Sequence, residues 1–279
     1  MGKDHFNWAD VPAGHHNPLA YAVTARDQAV VDMVINAVRH KQVMLAYQSV
    51  VPIANPSQPA FYEGLARVLD ASGRIIPARD FINAIEPTET GRVIDCLSLE
   101  QGLRTLRLNP DLRLSINMSA RSIGYPRWMR SFRRGLAQDP TIAERLILEV
   151  TETSAMVVPE LVVSFMSEFQ QKGVSFAIDD FGSGYTSFRY LKDFQFDILK
   201  IDGQFIRGVA DNADNQVVTQ AIISVAHQFD LITVAEAVER PKDVEWLQTS
   251  GVDCMQGYFF GAPTVNPPWL TKSKEKATA

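Results

Sequence analysis

The chain has 279 residues, 46% of them hydrophobic, enough to close one large core, and single β/α barrels commonly reach this length. A formal net charge of −5 and a pI near 5.6 argue against wrapping around a long nucleic acid, which needs many phosphate-neutralising cations. Two cysteines, Cys96 and Cys254, far apart in apolar contexts, make neither a disulfide framework nor a thiolate metal site, and no apolar run approaches the roughly 18–20 residues of a membrane span. The expected location is the cytoplasm, including the cytoplasmic domain of a membrane protein.

Residues 1–25, with Pro12, Gly14 and Pro18, predict an irregular arm or linker. From Asp27 to His40, Val30, Val31, Val34, Ile35 and Val38 recur at helical spacing. Strand-like runs follow at Val43–Val51, Phe61–Val68, Arg113–Asn117, Leu146–Glu149, Ser175–Asp179, Ile198–Ile201, Thr233–Ala235 and Val252–Gln256. The link between the first two holds Pro52, Asn55, Pro56 and Pro59 and leaves no room for a crossover helix, so those strands should be antiparallel. Later strands are separated by helical patterns at Glu160–Gln171, Gln216–Phe229 and Asp243–Ser250, with Gly173 and Gly251 placed as C-caps. Eight strands alternating with helices predict an α/β fold: a modified TIM (β/α)8 barrel over residues 26–266, with a C-terminal tail at 267–279.

In such barrels the working residues sit where strands end. Here those positions hold Glu63, Asn117, Glu149, Asp179 with Asp180, Lys200 with Asp202, Glu236, and Gln256. Any one carboxylate reads as a strand-end cap, but seven polar strand ends in register point to a divalent-metal site that hydrolyses a phosphodiester. All-oxygen ligands select magnesium, manganese or calcium over zinc, and adjacent aspartates can hold a second ion. A different reading of the same residues is a metal-dependent barrel that abstracts a proton from a carboxylate substrate clamped by Arg67. The five histidines fall outside these positions and are assigned no catalytic role.

Taken in order, Glu63-Gly-Leu-Ala-Arg67, Asn117-Met-Ser, Glu149-Val-Thr-Glu152, Asp179-Asp-Phe-Gly-Ser-Gly-Tyr, Lys200-Ile-Asp202, Glu236-Ala-Val-Glu239 and Gln256-Gly-Tyr resemble the EAL family of cyclic di-GMP phosphodiesterases, from about Asp27 to Pro263. The resemblance implies a barrel with an antiparallel first strand, hydrolysis of cyclic di-GMP to linear pGpG, and one or two Mg2+ or Mn2+ ions, with Ca2+ inhibitory. By position, Glu63, Asn117, Glu149 and Asp179 resemble ligands of the first metal and Asp180 a ligand of the second, with Asp202 and Glu236 close by. Lys200 matches the lysine beside the nucleophilic water, and Glu236 is the candidate general base. Arg67 matches a phosphate-binding arginine, while Gln48, Glu239 and Gln256 resemble positions on the substrate.

Glu152 corresponds to a glutamate bracing the loop from Asp180 to Ser187, which in the family links metal binding to dimerisation. A homodimer through this loop, after the fifth predicted strand, is therefore expected, as are upstream sensor or cyclase domains in a longer parent. The alternative is a catalytically silent cyclic di-GMP receptor, but such members usually lose metal ligands and none is lost here. Three departures fall outside the ligand set: Gly64 replaces the usual alanine, Ser49 the usual proline, and Val68 a frequent aromatic. Gly64 predicts slight extra backbone freedom and Val68 a reshaped guanine pocket.

Overall fold

The strands of the computed structural model, which describes residues 18–183 and 189–270, are β1 (Val43–Pro52), β2 (Phe61–Leu69), β3 (Ile75–Pro77), β4 (Leu114–Asn117), β5 (Leu146–Thr151), β6 (Ser175–Phe181), β7 (Ile198–Ile201), β8 (Ile232–Ala235) and β9 (Cys254–Met255). They pair in the order β1-β9-β8-β7-β6-β5-β4-β2, and a β1–β2 pairing closes an eight-stranded barrel. β1 is antiparallel to both neighbours, and every other barrel pair is parallel. The proline-rich link thus forms a hairpin, with Gln48 opposite Glu63 and Val50 opposite Phe61. β3, which the sequence reading did not single out, extends the β2 edge beyond the barrel.

The helices are α1 (Pro18–Arg39), α2 (Ile82–Ile85), α3 (Glu89–Leu108), α4 (Pro126–Gln138), α5 (Glu152–Ala155), α6 (Pro159–Gln170), α7 (Arg189–Asp193), α8 (Gly203–Ile206), α9 (Ala213–Gln228) and α10 (Pro241–Ser250). α10 stops where Gly251 takes φ 87°, as a left-handed cap requires. Two boundaries differ from expectation. α1 begins at Pro18 instead of near residue 26, because proline is tolerated in the first helical turn as well as in loops. Packing also continues past residue 266: Pro267 is buried, and Trp269 stands edge-on to Tyr47 and Tyr62 at 5.1 and 4.7 Å between centroids.

Strand alternation sorts the barrel interior into two layers. Val50, Phe61, Ile147, Ala177, Ile198, Val234 and Cys254 pack together as an apolar plug. Two residues further along each parallel strand the inward position is polar: Glu63, Glu149, Asp179, Lys200, Glu236 and Gln256. On antiparallel β1 the order reverses, so Gln48 precedes Val50. The plug closes one end of the barrel and leaves a polar floor at the other. Among the described residues, no helix is long and apolar enough to cross a membrane.

Candidate metal centre

The Lys200 ammonium is 1% exposed and stands at the centre of this floor. Its Nζ lies 2.7 Å from Glu149 Oε2, 2.8 Å from Glu236 Oε1, 3.0 Å from Asp179 Oδ1 and 3.4 Å from Glu63 Oε2. Asn117 Nδ2 donates to Glu63 Oε1 at 2.7 Å, and Gln256 Nε2 to Glu63 Oε2 at 2.6 Å. Burial works against the Glu63 carboxylate, yet Lys200 and these two amides outweigh it and hold its pKa below the ordinary value.

Its neighbours are not so well compensated. Burial, with Glu63 and Asp179 adding negative charge against Lys200, pushes Glu149 up to about 8. Burial and the charges of Asp179 and Asp202 raise Asp180 to about 6. Glu236 is raised well above the carboxylate range, chiefly by burial, against the pull of Lys200. For Lys200 itself burial is outweighed by Asp179, Glu149, Glu236 and Glu63, which keep it protonated.

Asp179 and Asp180 reach the same place only because β6 breaks its alternation. The register shifts between Ile178 and Phe181, and Asp180 takes φ 55°, a left-handed conformation uncommon outside glycine. Ala237, next to Glu236, is held likewise at φ 51°. Backbone strain of this kind collects at functional sites, where the surrounding structure enforces it.

The residues present fit divalent cations. Carboxylate oxygens of Glu63, Glu149 and Asp179 lie within 4.8 Å of one another, as do those of Asp179, Asp180 and Glu236. Glu149 Oε1 is buried with no hydrogen-bond partner among the described residues. The donor set is oxygen throughout, with one ammonium against five carboxylates, and excess negative charge in a buried site is what a bound cation relieves.

Above the floor opens a cavity of about 520 Å³. Gln48, Glu63, Asn117, Asp179, Asp180, Asp202, Glu236, Glu239 and Gln256 all line it, whereas Lys200 and Glu149 lie beneath. Asp202 caps α8, its Oδ1 accepting from Gln204 N at 2.6 Å, and among the described residues it pairs with no lysine. Glu239 faces Arg207 at 3.7 Å on the rim. Gln48 donates to Gly261 O at 3.0 Å and accepts from Gln256 at 3.2 Å. Glu152 Oε2 accepts from Gly182 N at 3.2 Å, at the root of the loop after β6. Residues 184–188 of that loop, including Gly184 and Tyr185, lie outside the described residues.

Arg67 does not line the cavity: its guanidinium turns back to donate to Ala66 O at 2.8 Å, beside the mouth. Val68 is fully buried and packs with Val34, Val43 and Phe81 under α1. It points away from the cavity, so the reading of Val68 as a pocket-shaping residue is corrected by strand alternation. At Gly64 a Cβ would stand 2.8 Å from Ile116 Cδ1, so that side chain already fills the place of the missing methyl.

Three further residues line the cavity beyond the predicted site set. Asp95, in the middle of α3, accepts from Ser119 N at 2.9 Å and Ser122 Oγ at 2.6 Å, and burial raises it to about 7. Arg79 donates to Tyr258 Oη at 3.2 Å, joining two sides of the mouth. Asp95 sits mid-helix and Arg79 in the short turn between β3 and α2, while Tyr258 closes the Gln256-Gly-Tyr motif but is given no role of its own there.

Fold and floor together define a closed α/β barrel with a carboxylate centre at one end. The EAL domain family profile matches residues 31–263, and the chain belongs to the EAL domain family. It is 30% identical to the cyclic di-GMP phosphodiesterase PdeB of Shewanella oneidensis over 82% of this chain and 27% of that protein. It is likewise 30% identical to the cyclic di-GMP phosphodiesterase PdeF of Escherichia coli, over 84% of this chain and 32% of PdeF. The chain thus spans about a third or less of the length of these curated relatives. Among solved structures it resembles the PaMucR phosphodiesterase in its c-di-GMP complex, with a TM-score of 0.76, 29% identity, and coverage of 85% of this chain and 97% of that one.

Proposed function

We propose that this chain hydrolyses cyclic di-GMP to linear pGpG with one or two divalent cations, magnesium or manganese. The observation that carries the proposal is the complete oxygen-donor set packed around Lys200 on the floor of the cavity. Glu63, Asn117, Glu149 and Asp179 would hold one cation and Asp180 a second, with Asp202 and Glu236 beside them. Such cations, when bound, draw charge from the phosphate and acidify water.

Lys200, fixed by its carboxylate neighbours, holds the attacking water and offsets the charge that develops on the phosphorus oxygens. Glu236 accepts the water's proton. Gln48, Glu239 and Gln256 contact the dinucleotide, and Arg67 swings from Ala66 to a phosphate. Glu152 braces the loop after β6, and through that loop two chains pair as a homodimer. Sensor or cyclase domains in a longer parent protein belong to the same reading, supported by the relatives' greater length.

The test is a nucleotide chromatogram after incubation with cyclic di-GMP. Magnesium or manganese should give pGpG, and calcium little, because its looser shell positions water and phosphate less productively. Lys200→Ala should bind substrate but turn over about 10²- to 10³-fold more slowly. Tight binding without turnover by the unmodified chain in manganese would establish a silent receptor instead.

A further inference from the structure

The outer face built from α3 and α4 has a charge opposite in sign to the molecule as a whole. α4 carries four arginines and no acidic residue, and beside it Arg104 and Arg107 of α3 outnumber Glu100, in a chain of formal net charge −5. α4 buries Trp128, Phe132 and Leu136 and turns its arginines outward. Gly135 lets the two helices close on each other, since a Cβ there would stand 2.6 Å from Leu103 Cδ1.

Between the helices run two adjoining grooves, of about 290 and 470 Å³, that share Glu100, Ser131 and Arg134. Arg104 and Arg107 line one, Arg127 and Arg130 the other. Arg127 faces Glu100 at 3.6 Å, and Arg107 only approaches Gln138 at 3.5 Å. Arg104, Arg130 and Arg134 are exposed and have no ion pair or hydrogen bond among the described residues. A face that merely keeps a helix solvated interleaves both signs, as Glu168 and Lys172 do on and just beyond α6 at 3.2 Å. Here five guanidiniums line a concavity against the single carboxylate of Glu100, and the guanidinium fork matches a carboxylate in two hydrogen bonds.

The other flank of α4 supplies a second kind of contact. Leu136, Ala137, Ala143 and Phe169 frame an apolar pocket of about 350 Å³, with Arg133 and Lys172 at its edge. Both cations lie against the Phe169 ring, 5.5 and 4.4 Å from its centroid.

We propose that the α3–α4 face docks an acidic segment of polypeptide, its carboxylates in the arginine groove and an apolar side chain in the pocket beside Phe169. Three unpaired arginines suit a few carboxylates. A duplex nucleic acid engages about six to ten phosphates and leaves an apolar pocket unused.

The experiment is fluorescence anisotropy with a labelled peptide of alternating glutamate and leucine, run against its lysine-leucine counterpart, single-stranded RNA and phosphatidylserine vesicles. The glutamate peptide should bind, and more weakly as salt is added. Arg130→Glu with Arg134→Glu should weaken it by about tenfold or more, while cyclic di-GMP turnover and melting temperature stay as in the unmodified chain. Arg104→Glu, on the other helix, gives an independent readout should the double variant fold poorly. Absence of peptide binding, equal binding by the charge-reversed variants, or tighter binding of RNA or vesicles overturns the proposal.

Discussion

At the residue scale, the sharpest consequences concern acids held away from water. Asp95 is the simplest, because its raised pKa arises first from burial and not from the carboxylate cluster. Its folded pKa, about 7, lies above the unfolded value near 3.8, so the fold favours the protonated acid. The stability this contributes is full below about pH 4 and is lost as pH rises toward 7, roughly 4 kcal/mol at most. Asp95→Asn keeps an acceptor for Ser119 N and Ser122 Oγ but cannot ionise. Its melting temperature should therefore fall less between pH 5 and 8 than that of the unmodified chain; parallel curves would refute the burial argument. Asp95 was invisible in the sequence because a mid-helix aspartate reads as solvated until tertiary packing covers it. Glu63, Glu149, Asp179 and Glu236 were legible for the opposite reason, since strand ends in a barrel have one possible destination. The fold-back of Arg67 onto Ala66 was not legible, because strand alternation sets which face a side chain takes and leaves its rotamer open.

At the element scale, β2, β4 and α3 meet through one methyl group. Ile116 Cδ1 would lie 2.8 Å from a Cβ on Gly64 and 2.7 Å from one on Gly102, so a single side chain fills the space beside both glycines. Gly64→Ala gains strand rigidity, about 0.5–1 kcal/mol, but must displace Ile116. Ile116→Val removes the obstructing methyl at about 0.5–1.5 kcal/mol. The two changes should compensate: in urea unfolding, the double variant should be more stable than the sum of the single effects by about 0.5 kcal/mol or more. Simple additivity would mean that Ile116 swings aside freely. The sequence reading saw only the missing methyl of Gly64, because what fills a vacant volume is decided by residues far away in the chain. For the same reason β3 and the packing of Trp269 went unread, while the β1–β2 hairpin was plain from its prolines and short link.

At the scale of the whole molecule, the barrel is an apolar plug topped by one ammonium and a ring of acids, and this layering ties stability to cations and to pH. Glu149 at about 8 and Asp180 at about 6 are raised above their unfolded values, so without cations the stability they contribute is full below about pH 4 and is lost as pH rises toward 6 for Asp180 and toward 8 for Glu149. A divalent cation binds the ionised carboxylates and reverses that loss. Its apparent affinity should therefore increase from pH 6 to 8 and level off above, and calorimetry in buffers of differing ionisation enthalpy should register proton release near neutrality. At a hundredfold excess over its Kd the ion should add about 2.7 kcal/mol to unfolding stability relative to chelator. Lys200→Met sharpens the test, because breaking a buried ion pair costs about 3–5 kcal/mol and here leaves Glu149 without its 2.7 Å partner. In chelator that variant should melt well below the unmodified chain, and magnesium should restore more of the difference than it adds to the unmodified protein, since the cation replaces the missing positive charge. Equal melting temperatures with magnesium and with chelator, in both proteins, would mean that Lys200 alone neutralises the floor and that these acids bind no metal.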